Sequence, residues 1–434
     1  MGRRVVVTGL GVVSAAGQDV PSFWHNIVTG RPAIERLDDL EGAPCPVPFL
    51  ARVPDDALEA ACQTWGVRKT DRVTRFAAVA ARQAMNDAGL ARASAALDRE
   101  RAGVIFGSGL GGLMFQEEQM WKLMRNMDAR LHPHSVPRIS ATALVNEVAL
   151  PFGFAGPGFV VSSACTSGAH AVGLAMRAIE NDEADLMLAG GAEAPLTRFT
   201  VTAFSLLGVL AKGAGAPETA AKPFDERRDG FVLGEGAGAL VLEEEGHARA
   251  RGAPIYARLC GFGQSLGAHH PVSVRPDGQD AASAMKRALR DAGVSPEHVG
   301  YVNAHGTGTR ENDAAESRAM HLVFGARGAA VPISSVKPVT GHALGAAGAF
   351  EAIVTSLSLA QGRIPPSANC EAPAADCPVD VVRGESRRND GEYALSNAFG
   401  FGNINVALVF GHASNTKVPV GASRNDASQA SGQT

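Results

Sequence analysis

Aromatic side chains are scarce in this chain of 434 residues: three Trp, three Tyr and 18 Phe make up 6% of it. Positive charge is scarce too. The 40 Lys and Arg are outnumbered by 44 Asp and Glu, for a formal net charge of −4, and no long basic run or aromatic-rich basic segment occurs. Phosphate backbones need clustered Lys and Arg, which argues against nucleic acid as a partner. Six cysteines, at 45, 62, 165, 260, 370 and 377, form no CxxC pair. A chain this long builds its core without a disulfide framework, so a reducing compartment is expected. Nowhere do 18 apolar residues run together, so no membrane span is expected. The opening MGRRVVVTGLGVVSAAG resembles a signal peptide only superficially. Gly9 and Gly11 interrupt it, and RRVVVTG reads as a first strand. The expectation is a soluble cytoplasmic protein.

What is abundant is glycine, 50 residues, together with alanine. Short β-branched runs alternate with alanine-rich helical stretches, the pattern of layered α/β proteins. Strands are expected near 4–8, 103–106, 159–162, 185–189, 238–243, 255–262, 300–303 and 405–410. Helices are expected near 72–88, 167–180, 279–292, 311–323 and 345–361. The stretch 211–230 reads as a surface loop closing on a charged cluster. Near 250 the pattern restarts, suggesting two similar halves, 1–250 and 251–412, and a tail, 413–434, expected to be disordered.

Three kinds of motif could carry chemistry. VIFGSGLGG places Gly107, Gly109 and Gly112 at G-x-G-x-x-G spacing after a strand. A dinucleotide site would also need a ribose-binding acid about 20 residues on, and Asp128 lies instead in a Met/Arg-rich helical stretch. No Walker A pattern is present. In FVVSSACTSGAHAVGLAMRAI, Cys165 sits between a strand and a helix, among small residues. That turn would expose the sulfur at a helix N-terminus, whose partial positive charge lowers a thiol pKa. Taken alone, a packed core thiol is the competing reading. YVNAHGTGTREND puts His305 in a turn after a strand, and SSVKPVTGHALGAAGAFEA puts His342 in another, with Lys337 before it and Glu351 after. Two histidines and a cysteine in three strand-to-helix turns suggest loops converging on one cleft. Zinc would prefer ligands at i, i+3 or i+4 on one element, which these lack, and the adjacent His269 and His270 point apart. SNAFGFGNIN, 396–405, reads as a fourth turn, able to aim a backbone N–H of Phe401 into the cleft and pair it with the Cys165 N–H as an oxyanion hole.

These motifs, in this order, resemble β-ketoacyl-(acyl carrier protein) synthases of the thiolase-like superfamily over about residues 3–411. TGLGVVSAAG, GGAEA and KPFDERRDGFVLGEGAGALVLE match alongside those above. The resemblance implies a five-layer α-β-α-β-α fold of two duplicated halves, acting as a homodimer or with a chain-length partner. It implies a decarboxylative Claisen condensation of an acyl group held on Cys165 with malonyl-(acyl carrier protein), with no redox cofactor. His305 and His342 would drive decarboxylation, and Lys337 would orient His342 and tune its charge. Phe401 would be the gate, Thr307 and Thr309 would hold the pantetheine arm, and Leu110 would line the acyl pocket, with His270 near the substrate. Arg68, Lys69 and Arg72, within VRKTDRVTR, would dock the acidic carrier. No metal is implied for catalysis. A structural cation near Asn303, Glu351, Ser396 and Asn397 occurs in some members.

Two stretches depart from the family pattern. The last turn reads GFGNIN where GFGGTN is common, and QSLGAHHPVSVRPDG lacks the acid that usually precedes its histidines. Both match mobile gating loops. Within the resemblance, primary fatty-acid elongation competes with a polyketide or polyene ketosynthase, including one that works only as an obligate heterodimer. A non-catalytic partner subunit would lack the nucleophile, and a thiolase would carry a second cysteine late in the chain, where none follows Cys377.

Overall fold

The first apolar run becomes a ten-residue strand, β1 (Val5–Ser14), in which every residue is buried. Strands covered on both faces read as continuous apolar runs rather than alternating ones. One cover is a helix, α1 (Arg72–Asp87), capped by Asp71, which accepts the amide of Thr74. It packs so closely that a Cβ on Gly9 or Gly11 would lie 2.2 or 2.0 Å from the backbone oxygens of Ala84 or Ala80. That approach accounts for glycines in the strand and alanines in the helix. The computed structural model of the chain describes residues 2–413 apart from 41, 42, 46, 91–96 and 214. The tail expected to be disordered lies, beyond Ala413, outside the described residues.

Ten more strands join β1 in one mixed sheet: β2 (Ala102–Gly107), β3 (Gly158–Val161), β4 (Leu186–Glu193), β5 (Gly236–Glu244), β6 (Ala257–Leu266), β7 (Val299–Asn303), β8 (Pro332–Ser334), β9 (Asp380–Val381), β10 (Tyr393–Gly400) and β11 (Ile404–His412). Their order is β9-β8-β7-β10-β11-β6-β1-β5-β4-β2-β3. From the outer edge inward, β3-β2-β4-β5-β1 of the first half is repeated as β8-β7-β10-β11-β6 of the second, with β9 added outside. Strand directions repeat as well. β1 with β5 and β5 with β4 are antiparallel, then β4 with β2 and β2 with β3 parallel. The second half has the same two antiparallel and two parallel pairs. Within the sheet, the halves are joined by three residue pairs among the described residues, from Val5–Leu259 to Val7–Ala257.

Helices α2 (Ser167–Glu180), α3 (Gln279–Ala292), α4 (Arg310–Phe324) and α5 (Ala347–Gln361) complete the layers. α2 and α5 lie between the halves and touch strands of both, α1 covers the outside of the first half, and α3 with α4 covers the outside of the second. The result is α-β-α-β-α. α2 and α5 cross almost backbone to backbone. A Cβ on Gly168 would sit 2.8 Å from the Gly345 oxygen, and one on Gly348 would sit 2.6 Å from the Ala169 nitrogen. Leu344–Gln361 is, among the described residues, the one helical segment long and apolar enough to cross a membrane, and 94% of it is buried in this middle layer.

Several expectations need correction. Residues 396–400 are strand, the end of β10, and only Phe401–Asn403 turn. Buried on both faces, ALSNAFG has no alternation to mark it. The cluster closing 211–230 is not superficial: Phe224, Asp225 and Arg228 are buried, and Arg228 reaches Asp376 at 2.9 Å. The helix after the glycine motif is Leu113–Arg125, so Asp128 lies beyond its end.

Candidate active site

Two of the convergent turns follow strands, β3 and β7; His342, expected in a third, lies instead beyond a one-turn helix, Lys337–Thr340, that follows β8. Between β3 and α2, Ala164 sits at φ +53, a left-handed angle unusual for a residue with a side chain. Short polar residues hold the bend. The Ser163 amide donates to Ser167 Oγ at 2.9 Å, and Ser167 Oγ donates to the Ala164 carbonyl at 2.7 Å. Cys165 follows directly, with its Sγ 3.2 Å from His342 Nε2. The expectation of an exposed, acidified thiol is corrected here. Cys165 is 7% exposed, and burial pushes its thiol up to about 12, which the nearby Lys337 charge opposes without offsetting. The sulfur rests as a thiol donating to imidazole, and the adjoining base, rather than the helix start, is what can activate it.

His342 is pinned by backbone pairing: its amide donates to the Val232 carbonyl at 2.7 Å, and its carbonyl accepts from Gly234 at 3.0 Å. Its ring stands edge-on to Phe231 at 4.9 Å and to His305 at 5.4 Å. His342 Nδ1 has no hydrogen-bond partner among the described residues. Burial, with the Lys337 charge, holds both histidines well below their usual pKa, so both are neutral. Lys337 is not placed as expected. Its ammonium touches His305, not His342, donating to the His305 carbonyl and lying 3.4 Å from Nδ1, and it pairs with Glu351. As an ammonium only donates, it makes His305 Nδ1 the acceptor and leaves the ring proton on Nε2. Its charge still acts on both rings.

Sequence reasoning passed over several polar residues that hold these turns. Glu316 on α4 accepts the amides of His305 (3.0 Å) and Gly306 (2.8 Å) and the Asn397 side chain (3.1 Å). Glu193, the acid of GGAEA, accepts Ser108 Oγ and the amides of Gly109, Leu110 and Gly345 at 2.7 to 3.1 Å. Burial raises both carboxyls, and that of Glu351, to about 7. The Glu193 contacts dispose of the dinucleotide reading: the glycine-loop amides that would cradle a pyrophosphate already hold a carboxylate. His170 on α2 links Ser163 Oγ (2.8 Å) to Gln264 on β6 (2.9 Å). A buried acid next to glycines was the available signal for Glu193, and the motif itself contains it.

The remaining candidates separate. The Phe401 ring stacks on Phe204 at 6.3 Å, and a Cβ on Gly400 would lie 3.5 Å from the Cys165 nitrogen, so the Phe401 turn abuts the nucleophile. Thr307 and Thr309 share a 3.0 Å hydroxyl contact, the first buried and the second half-buried. Leu110 is 36% exposed. His270, expected near the substrate, makes its ring contacts within its own loop. It is exposed, and its Nδ1 accepts the amides of Val272 and Ser273. Arg72 leaves its expected place. It is drawn inward by buried Glu235 at 2.6 Å and stacks over Phe76, so only Arg68 and Lys69 remain on the surface, Arg68 held by Glu147 at 2.9 Å.

No cluster of three His, Cys, Asp or Glu among the described residues suits a metal. A hard cation is a different case. Among the described residues, Asn303 Oδ1, Asn397 Oδ1 and Glu351 Oε2 are buried without partners, and Ser396 on β10 pairs with Asn303 on β7. Three orphaned oxygens fit such an ion.

Comparison with known proteins identifies the family. Residues 2–248 match the family model "Beta-ketoacyl synthase, N-terminal domain", and 256–371 match "Beta-ketoacyl synthase, C-terminal domain". A 3-oxoacyl-(acyl-carrier-protein) synthase 2 of Vibrio harveyi is 40% identical over 409 residues, 94% of this chain and 98% of that one. A type II polyketide ketosynthase solved in complex with its acyl-carrier protein superposes with a TM-score of 0.88 at 33% identity, covering 95% of this chain and 100% of that one. The ishigamide ketosynthase/chain length factor superposes with a TM-score of 0.87 at 32% identity, with the same coverage.

Proposed function

The chain belongs to the β-ketoacyl synthase family, and from that premise we infer that it extends acyl chains by decarboxylative condensation, releasing CO₂ and a 3-oxoacyl-(acyl carrier protein). The observation that carries the reading is the 3.2 Å contact between Cys165 Sγ and neutral His342 Nε2, beside a second histidine whose proton is directed to Nε2.

In the first half-reaction the Cys165 thiol gives its proton to His342 Nε2 as sulfur attacks the acyl thioester carbonyl. The carrier thiolate leaves and takes that proton. The Cys165 and Phe401 amides hold the tetrahedral oxyanion. In the second, malonyl-carrier loses CO₂, and the bonding pair becomes an enolate whose oxygen accepts from His305 Nε2–H. His342 joins as a donor once its proton sits on Nε2, a tautomer its unpartnered Nδ1 permits. The carbanion attacks the acyl-cysteine, and the expelled cysteine thiolate takes up one proton from solvent, which balances the carboxylate charge lost with CO₂. Thr307 and Thr309 hold the pantetheine arm, and Leu110 lines the acyl pocket. Asn303, Asn397 and Glu351 would hold a hard cation, which would supply fixed positive charge and take no part in the bonds made and broken.

The nucleophile belongs to one half of the chain, 1–250, and the histidines to the other, 251–412. The partners are acyl carrier protein, met by Arg68 and Lys69, and a second copy or a chain-length partner, in a cytoplasmic setting. A specific observation favours pairing: β3 ends the sheet with an uncovered, uncharged GFVV edge. Intact-mass measurement after incubation with acyl-carrier thioesters tests the chemistry. Cys165 gains one acyl group, Cys165→Ala gains none, and His305→Ala accepts acyl yet releases CO₂ from malonyl-carrier at least about a hundredfold more slowly. Acylation surviving in Cys165→Ala would overturn the assignment.

A further inference from the structure

One side chain ties the Phe401 turn to the loop beside it. Asn403 ends the turn at φ +56, next to Gly402 at φ +79. Glycine is at ease there, and asparagine is among the few other residues that enter this region readily. Asn403 is 3% exposed, and its amide is fully used. Nδ2 donates to the carbonyls of His270 (3.1 Å) and Ser273 (3.0 Å), and Oδ1 accepts the Arg275 amide (3.0 Å). Two carbonyls facing one end and an N–H facing the other leave a single orientation for the amide. Its backbone carbonyl accepts the Gly267 amide (2.9 Å) and Asn405 Nδ2 (2.8 Å). Glycine could hold the same backbone angle and keep both carbonyl contacts. It would make none of the three side-chain bonds, so the asparagine answers to the 267–275 loop rather than to the turn.

We propose that Asn403 is a latch that makes the Phe401 turn and the 267–275 loop move as one unit, restricting the entry of bulky acyl groups to Cys165. Phe401 swings aside only when the loop goes with it or when three side-chain hydrogen bonds break together. The middle of the loop is open to solvent, with Ala268, His269 and His270 exposed, and the latch transmits its motion to the gate. Asn403 touches no reacting atom; it is a positioning residue. The proposal rests on the reading of Phe401 as the gate over an acyl-accepting Cys165.

Two variants and two readouts test it in the full-length protein. Asn403→Gly keeps the left-handed backbone and removes the side-chain bonds. Asn403→Asp keeps the shape but sets a carboxylate oxygen against two carbonyls. Hydrogen exchange at the Gly267 and Arg275 amides reads the loop, and alkylation of Cys165, mapped by peptide mass, reads the gate with a small iodoacetamide and a bulky maleimide. Both variants are expected to speed exchange at these amides and to raise maleimide alkylation at least about tenfold, the effect of losing even one net hydrogen bond of the three, and iodoacetamide alkylation by less. Phe401→Ala is expected to speed exchange in the loop of the wild type but not further in Asn403→Gly. Unchanged loop exchange, or faster exchange with unchanged alkylation, would overturn the latch. Exchange in the β1 and β5 core reports whether a variant has folded. Alkylation needs no carrier substrate, so a wild type that accepts no acyl group refutes the function without deciding the latch.

Discussion

At the scale of single residues, the site works by withholding charge rather than by supplying it. Cys165 is held as a thiol and both histidines as neutral rings because burial penalises every charged form. The exception is Lys337, whose ammonium is matched by Glu351 and sits against His305. Its charge depresses both imidazoles. A protonated His342 has no lone pair at Nε2 for the thiol proton, so acylation fails below the folded-state pKa of that ring. In Lys337→Met that depression is lost, and the acid limb of Cys165 acylation moves to higher pH, toward the ordinary histidine value of about 6.5. An acid limb that stays in place when acylation rate is measured from pH 5 to 8 would refute this role. The sequence showed the identities of these residues but not which histidine Lys337 serves. The lysine is nearer in sequence to His342, and only the fold sends it to His305. Glu316 and His170 stayed invisible for a related reason: their partners are backbone amides, a hydroxyl and the side-chain amide of Gln264, brought together across 7 to 94 positions, with no local spacing to betray them.

At the scale of elements, small residues set the distance between catalytic groups. α2 carries Cys165 just before its start, and His342 lies just ahead of α5. Where these helices cross, Gly168 and Gly348 leave no room for a methyl group. Gly168→Ala is therefore expected to cost about 1–3 kcal/mol of stability through overpacking, read as a lowered urea midpoint. It is also expected to slow acylation, because the displaced helix lengthens the contact between Sγ and Nε2. A midpoint and acylation rate equal to those of the wild type would show that the crossing is looser than drawn. Helix ends were legible because they obey local rules: α2 and α3 fall on the residues expected, α3 bounded by Gly278 and Gly293. β10 was not legible. Its central residues are buried from both faces and rich in Ala, Ser, Asn and Gly, so nothing in the pattern distinguishes them from a turn. Arg72 misled for the same reason: a cation in a basic stretch reads as surface until a buried glutamate from 163 positions away claims it.

At the scale of the whole molecule, the two sheet edges differ in a way that repetition of the halves does not explain. The edge at β9 is two residues long and flanked by the exposed Asp380–Arg387 ion pair, devices that discourage strand addition. The edge at β3 is GFVV, without charge, and Phe159 on it is 45% exposed. Ser162, just past β3, donates to the Gly109 carbonyl, which brings half-open Leu110 beside the same edge. The helix that follows, Leu113–Arg125, exposes Met120, Trp121 and Met124. Leu110, proposed to line the acyl pocket, lies open next to an uncharged strand edge and an apolar helix face, as expected of a subunit whose partner completes that pocket. A charge on that edge opposes pairing, so Phe159→Lys is expected to sediment as a monomer where the wild type sediments as a dimer. Because the pocket then loses one wall, long acyl chains should suffer more than short ones in Cys165 acylation. A dimer retained in Phe159→Lys, or a monomer with the wild-type preference between chain lengths, would detach the pocket from the interface.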